Sequence, residues 1–159
     1  MSITLRAARP ADVSVILQFI QGLAEYEKLA HACVATETQL AETLFGPRPY
    51  AEVILAYWND TPTGFALFFH NYSTFLAKPG IYLEDLFVDP EYRGKGLGKA
   101  LLKELARIAI ERNCGRLEWS VLDWNEPSIN FYKSLGAVPL DEWTIYRVTG
   151  DALTNLGTP

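Results

Sequence analysis

The chain has 159 residues, enough for one domain that buries about two-thirds of the surface its unfolded form would expose. Hydrophobic residues make up 49% and charged residues 21%, the balance of a folded globular protein, and no run approaches the roughly 18 apolar residues of a membrane span. The net charge of -5 disfavours a nucleic-acid partner, whose phosphates it would repel, and is compatible with a cationic substrate.

Met1 to Arg6 lacks the basic-then-apolar pattern of a secretory signal, so a cytoplasmic location is expected. Ile3, Leu5 and Ala7 alternate with Thr4 and Arg6, which predicts a first strand with one buried face. Pro10 and Asp12 open a helix whose apolar stripe is Val13, Ile16, Leu17, Ile20 and Ala24. A second helix is predicted from Thr36, a suitable cap, to Phe45, where Gly46-Pro47 stops it. Ala51 to Trp58 and Gly64 to His70 are rich in β-branched and aromatic residues, and the polar Asn59-Asp60-Thr61-Pro62 joins them as a hairpin. Ile81 to Val88 reads as another strand, and a long helix follows from about Gly96 to Asn113 with Leu97, Leu101, Leu105 and Ile108 on one face. Next come a strand at Arg116 to Val121, a short helix between Pro127 and Gly136, a last strand around Thr144 to Val148 and a frayed tail from Thr154. The order is that of a mixed α/β fold in a single domain, residues 1–159.

Cys33 and Cys114 lie far apart without a CxxC spacing, so they are expected as reduced thiols packed in apolar surroundings. His31 beside Cys33 supplies two metal-ligand types without a second pair, and no metal is expected.

The segment Asp89-Pro90-Glu91-Tyr92-Arg93-Gly94-Lys95-Gly96-Leu97-Gly98-Lys99 places three alternate glycines between a strand end and a helix start. Glycine permits positive φ and close backbone approach, so successive amides can turn toward one anion, and the helix N-terminus adds partial positive charge. A Walker loop does not fit, because Arg93 stands where it needs its first glycine and Ala100 where it needs Ser or Thr. The dinucleotide fingerprint does not fit either, because Lys99 stands where its third glycine belongs. A glycine-rich turn without a ligand is the remaining structural alternative.

Arg93-Gly94-Lys95-Gly96-Leu97-Gly98 resembles the Arg/Gln-x-x-Gly-x-Gly/Ala loop of the GNAT acetyltransferase superfamily. Ile81-Tyr82-Leu83-Glu84-Asp85-Leu86-Phe87-Val88 is similar to its central strand. Trp124-Asn125-Glu126-Pro127-Ser128-Ile129-Asn130-Phe131-Tyr132 resembles its later cofactor and catalytic segment. Leu83-Glu84-Asp85 before the loop and Trp124 to Tyr132 after it are closest to the diamine (spermidine/spermine) and thialysine N-acetyltransferases. The resemblance implies a mostly antiparallel mixed sheet with a splayed central strand and flanking helices. It also implies acetyl-CoA as co-substrate and direct transfer to a primary amine without an acyl-enzyme, so that neither cysteine is a nucleophile.

The same resemblance assigns roles. Leu86, Phe87 and Val88 would bond the pantetheine arm through their backbone, Arg93 to Gly98 would hold the pyrophosphate, and Asn125 and Asn130 would contact the cofactor. Asn125 is also a plausible helix cap ahead of Pro127, and Lys99 either approaches a CoA phosphate or is a surface lysine. Tyr132 aligns with the tyrosine that protonates the leaving sulfur; its alternative is a core aromatic on the stripe with Ile129 and Leu135. Glu84 would take the proton from the ammonium through water, since an amine with a pKa of about 10.4 arrives charged. Glu84 and Asp85 point to opposite faces of a regular strand, so serving one substrate requires a bulge there, as the family has. Their plainer reading is as solvated or ion-paired carboxylates.

For the acceptor, Tyr26 and Glu27 resemble the subfamily's amine contacts, and Trp119, Trp124, Glu142 and Trp143 are further candidates through ion pairing and cation-π contact. Val138 to Glu142 is shorter than in the mammalian polyamine enzymes, which leaves Asp141 and Glu142 both open for the acidic role, and Leu135 stands where those enzymes carry a basic residue. A homodimer with acceptor groups from both subunits is implied. Two rivals share these residues: a protein or peptide N-acetyltransferase, and a noncatalytic acyl-CoA sensor, which the pairing of Tyr132 with Glu84 disfavours.

Overall fold

In the computed structural model, residues 2–159 are described; Met1, where the segment read as lacking a signal pattern begins, lies outside them. The chain divides into two compact units, Met1–Leu122 and Asp123–Pro159. The first carries a five-stranded sheet in the order β1 (Ile3–Ala7), β2 (Glu52–Trp58), β3 (Thr61–Ser73), β4 (Lys78–Val88), β5 (Leu117–Trp119). The first three neighbouring pairs are antiparallel and β4 with β5 is parallel, as the mixed sheet of the GNAT resemblance implies.

Trp58 pairs with Thr61, so Asn59 and Asp60 alone make the β2–β3 connection, and Asn59 takes the positive φ of 55° that such a tight turn requires. Thr61 and Pro62, expected in that connection, open β3 instead. β3 and β4 each run further than their apolar cores suggest, pairing out to Ser73 and Lys78. β5 is only three residues long and stops at Trp119, short of the expected Val121.

Helix α1 (Val13–Tyr26) follows a short turn at Pro10–Asp12, whose Asp12 carboxylate is gripped by both terminal nitrogens of Arg6. Its stripe packs with α2 (Glu37–Phe45) on one face of the sheet, where Ile16, Phe19, Leu23, Leu40, Leu44, Leu55, Phe65 and Phe87 form one core cluster. Thr36 caps α2 by accepting from the Gln39 amide. Helix α3 (Leu97–Glu111) covers the opposite face with Leu97, Leu101, Leu102, Leu105 and Ile108, all buried and all outside that cluster. Its four-residue spacing of leucines is what selects a helix with one wide apolar face.

The second unit holds α4 (Glu126–Ser134) and α5 (Gly150–Gly157). Two expectations fail here. Thr144 to Val148 is not a strand: among the described residues it is irregular and exposed and takes part in no strand pairing, and alternation alone does not make a strand without one. The tail is not frayed from Thr154, since Gly150–Gly157 is helical and the Leu153 amide closes its first turn on the Thr149 carbonyl.

Candidate functional site

The irregularity that builds the site is in β4. Leu67 pairs with Asp85 and the next residue, Phe68, pairs with Leu83, so Glu84 is an extra residue opposite no partner. Residues directly opposite in a sheet share a face, and Leu67 and Phe68 must point oppositely, so Leu83 and Asp85 do too. Without the bulge Leu83, Asp85 and Phe87 would share one face; with it, Asp85 and Phe87 turn to the α1 side. This is the bulge on which the joint use of Glu84 and Asp85 depends.

The parallel pairing of β4 with β5 ends where the bulge begins, at Leu83 opposite Trp119. Beyond it β4 runs on through Leu86, Phe87 and Val88, paired with β3 alone among the described residues. The outward-facing backbone groups of that stretch have no strand partner, so an extended arm with amide groups can pair there. Trp119, half-buried, stands at the point of divergence.

Gly22 sets the approach of α1 to this strand. A Cβ at Gly22 would lie 2.7 Å from the Phe87 ring, so only glycine lets the helix come so close. The helix then ends at Tyr26, and Glu27 and Asp85 line one concavity. Glu27 is raised above the ordinary carboxylate range by burial and then by the charge of Glu84. Asp85 is pushed up to about 6, first by burial and then by the charges of Glu84 and Glu27. Glu84 disfavours the ionisation of both Glu27 and Asp85, so a cation bound among these carboxylates relieves the site.

On the far side of β4, Asp89 caps the short turn Pro90–Tyr92 by accepting from the Glu91 amide at 3.0 Å. Gly94 and Gly96 have φ of 77° and 91°, in the left-handed region that disfavours a side chain, and Gly96 is the cap of α3. The first helical hydrogen bond runs from the Ala100 amide to the Gly96 carbonyl at 3.0 Å. The amides of Leu97, Gly98 and Lys99, in the first turn, therefore have no intrahelical acceptor and are available to an anion. Nothing lies within 4 Å of the place a Gly94 Cβ would take, and a Gly98 Cβ would only touch Val88 at 4.0 Å. This open cradle fits a pyrophosphate.

Two side chains of the loop are already engaged. Arg93 Nε donates to the Val88 carbonyl at 3.0 Å, and its guanidinium lies 4.7 Å from the centre of the Tyr26 ring and 5.7 Å from that of Phe87. Arg93 thus ties the glycine loop to the end of α1 beside Glu27. Lys95 Nζ lies 5.1 Å from the centre of the Trp58 ring, while Lys99 is exposed.

The sequence pattern did not reveal the Arg93–Tyr26 link or the role of Leu29 to Ala35 as a wall of the concavity. The second has a visible signal, the run of small and apolar residues directly after Glu27 and Lys28. The remaining candidates lie in the second unit. Asn125 is buried and accepts from the Ser128 amide at 3.4 Å as the cap of α4, Asn130 is exposed, and Tyr132 is half-buried with its ring 5.7 Å from that of Phe131. Trp124, Asp141, Glu142 and Trp143 are exposed. Among the described residues no group of three or more His, Cys, Asp or Glu is placed to hold a metal ion, and no helix is long and apolar enough to cross a membrane.

Residues 21–137 match the model of the acetyltransferase (GNAT) family. The chain is 37% identical to L-ornithine N5-acetyltransferase of Arabidopsis thaliana, over 94% of this chain and 85% of that protein. It is 36% identical to thialysine N-epsilon-acetyltransferase of Bos taurus, over 97% of this chain and 96% of that one. Among solved structures, an integron cassette protein of V. cholerae superposes with a TM-score of 0.84 at 31% identity, covering 100% of this chain and 99% of its own.

Proposed function

The chain belongs to the GNAT acetyltransferase family, and from that premise we propose that it transfers the acetyl group of acetyl-CoA directly to a primary amine of a small cationic acceptor of the diamine, thialysine or lysine-like kind. The carrying observation is the convergence of Glu27, Glu84 and Asp85 at the point where β4 parts from β5. The relatives named for ornithine and thialysine N-acetylation support an amine of this size and charge.

The cofactor brings an activated thioester; the chain supplies position and protons. The amides at the start of α3, with Gly94 and Gly96, hold the pyrophosphate, and the edge of Leu86 to Val88 that has no strand partner holds the pantetheine amides, with Asn125 and Asn130 as further contacts. An ammonium drawn in by the three carboxylates has to lose a proton before it attacks, and Glu84 takes it through water. As the carbon–nitrogen bond forms and the carbon–sulfur bond breaks, Tyr132 gives its phenolic proton to the sulfur. Tyr26, Trp119, Trp124, Glu142 and Trp143 complete the acceptor's surroundings, in a homodimer acting in the cytoplasm.

Release of free thiol from acetyl-CoA, followed with putrescine, spermidine, thialysine, lysine and a set of short peptides, tests this reading. Turnover with the small amines and none with the peptides is the expected result. Thiol release no faster than hydrolysis with every amine, despite CoA binding, would leave a cofactor sensor in its place.

A further inference from the structure

Away from the acceptor concavity, β1 begins and β2 ends at a corner whose side chains the transfer chemistry does not use. Val53 and Leu55 of β2 belong to the core cluster under α1 and α2, so the alternate residues Ile54, Ala56 and Trp58 face α3. Ile3 of β1 stands opposite Trp58 and shares that face. Trp58 is half-buried and held from both sides, by Ile3 in one ladder and by Thr61 in the other. The next residue closes the corner: the Asn59 amide donates to the Ser2 carbonyl at 2.8 Å, and the Ser2 amide donates to Asn59 Oδ1 at 3.1 Å.

The glycine loop lies against this corner. Lys95 stands between Gly94 and Gly96, both with positive φ, and among the described residues none of the three amides donates to a backbone carbonyl. Those amides are thereby open to an anion, but the stretch has no backbone hold, and glycine on both sides gives it wide conformational freedom. Two contacts restrict it. Lys95 Nζ lies 5.1 Å from the centre of the Trp58 ring, and Ile3 Cδ1 lies 3.8 Å from the place a Gly96 Cβ would take.

Resting on the acetyl-CoA reading, we propose that Trp58 is a positioning residue for the cofactor: its ring holds the Lys95 ammonium, and through it the backbone of Gly94 to Gly96, in the conformation that presents the loop amides to the pyrophosphate. A loop already braced loses less conformational freedom when the pyrophosphate arrives, so the brace appears as affinity. Arg93 fixes the other flank of Gly94 through the Val88 carbonyl and the Tyr26 ring. Both side-chain cations beside Gly94 thus brace the loop and leave the anion to the amides.

Calorimetry of CoA binding, with no acceptor amine present, tests this. Trp58→Leu is expected to raise the Kd for CoA about three- to fivefold, the weight of one exposed cation-π contact, and Trp58→Phe, which keeps an aromatic face, by less than about twofold. In a Lys95→Met background the same Trp58→Leu change should move Kd by less than about 1.5-fold, because its partner is already gone. An equal loss with and without Lys95 would overturn the proposal, since the tryptophan would then serve the fold and not the lysine.

Protein labelled with 5-fluorotryptophan gives a second readout that needs neither CoA nor a folded Trp58→Leu variant. Lys95→Met should shift the fluorine resonance that is missing from Trp58→Phe and leave those of Trp119, Trp124 and Trp143 in place. An unshifted Trp58 resonance would show that the ammonium does not sit on the ring, and would overturn the proposal. A wild-type protein that binds no CoA would remove the acetyl-CoA reading and this role with it, whereas CoA binding indifferent to Trp58 would remove this role alone.

Discussion

Asp85 carries a conflict between folding and binding. Its folded pKa of about 6 lies above the ordinary 3.8, so its contribution to stability is fully present below about 3.8 and is lost as pH rises through 6. Removing the charge should therefore help the fold where the charge hurts it. Asp85→Asn is expected to raise stability at pH 7.5 by up to about 2–3 kcal/mol, less whatever solvent screening takes, and to change it little at pH 3.5. Urea unfolding at the two pH values checks this; an equal gain at both would mean that the carboxylate is not strained. A residue that costs stability when unliganded is retained where a ligand repays it, so the same variant should lose affinity for a diamine. Tyr132, proposed above as the acid that protonates the leaving sulfur, makes the complementary case. Tyr132→Phe keeps the ring and removes the proton, so turnover should fall by about 10²-fold or more with CoA affinity unchanged. Turnover that survives would take the hydroxyl out of the mechanism.

The glycine loop and the strand before it show which elements the residue pattern reveals. Gly96 has a positive φ of 91° and caps α3, whereas Gly98 has ordinary helical geometry and space for a methyl group. Gly96→Val should thus lower both stability and CoA affinity, the first by about 1–2 kcal/mol for the left-handed backbone alone. Gly98→Ala should hold or raise the melting temperature, since alanine is the better helix former, and weaken only CoA binding, because nothing in the protein crowds the new methyl; a destabilised Gly98→Ala protein would contradict the packing described above. Long periodic helices, the β2–β3 hairpin and the loop are legible in the chain because each is specified by its own residues. The bulge at Glu84 is expected only through family likeness, since alternation along Ile81 to Val88 gives no sign of which residue is skipped by the partner strand. The helix at Gly150–Gly157 is hidden by its composition, with Gly, Asp, Thr and Asn all weak helix formers. Thr144 to Val148 misleads for the opposite reason: its alternation has strand character, but a strand also needs a partner edge, and that is a property of the fold. In the site, the acids and aromatics were recognisable as types, while the tie from Arg93 to Tyr26 depends on where α1 ends in space.

At the scale of the whole molecule, the second unit leaves a run of large apolar side chains in water. Leu140, Trp143, Ile145 and Tyr146 are 60%, 78%, 75% and 91% exposed within seven residues of chain. Large apolar side chains left exposed so close together along the chain are the raw material of an association site. They support the homodimer proposed above, with the irregular segment as part of the contact between copies. The wild-type protein should therefore sediment at twice its 17.8 kDa chain mass at micromolar concentration. Ile145→Lys with Tyr146→Lys should shift it toward the single-chain mass, because two charges desolvated at the contact cost far more than they do on an exposed loop. Circular dichroism of the variant should stay that of the wild type, since neither side chain belongs to the buried core. A wild-type protein that sediments at 17.8 kDa, or a double variant that remains at twice that mass, would show that this surface is not where copies meet.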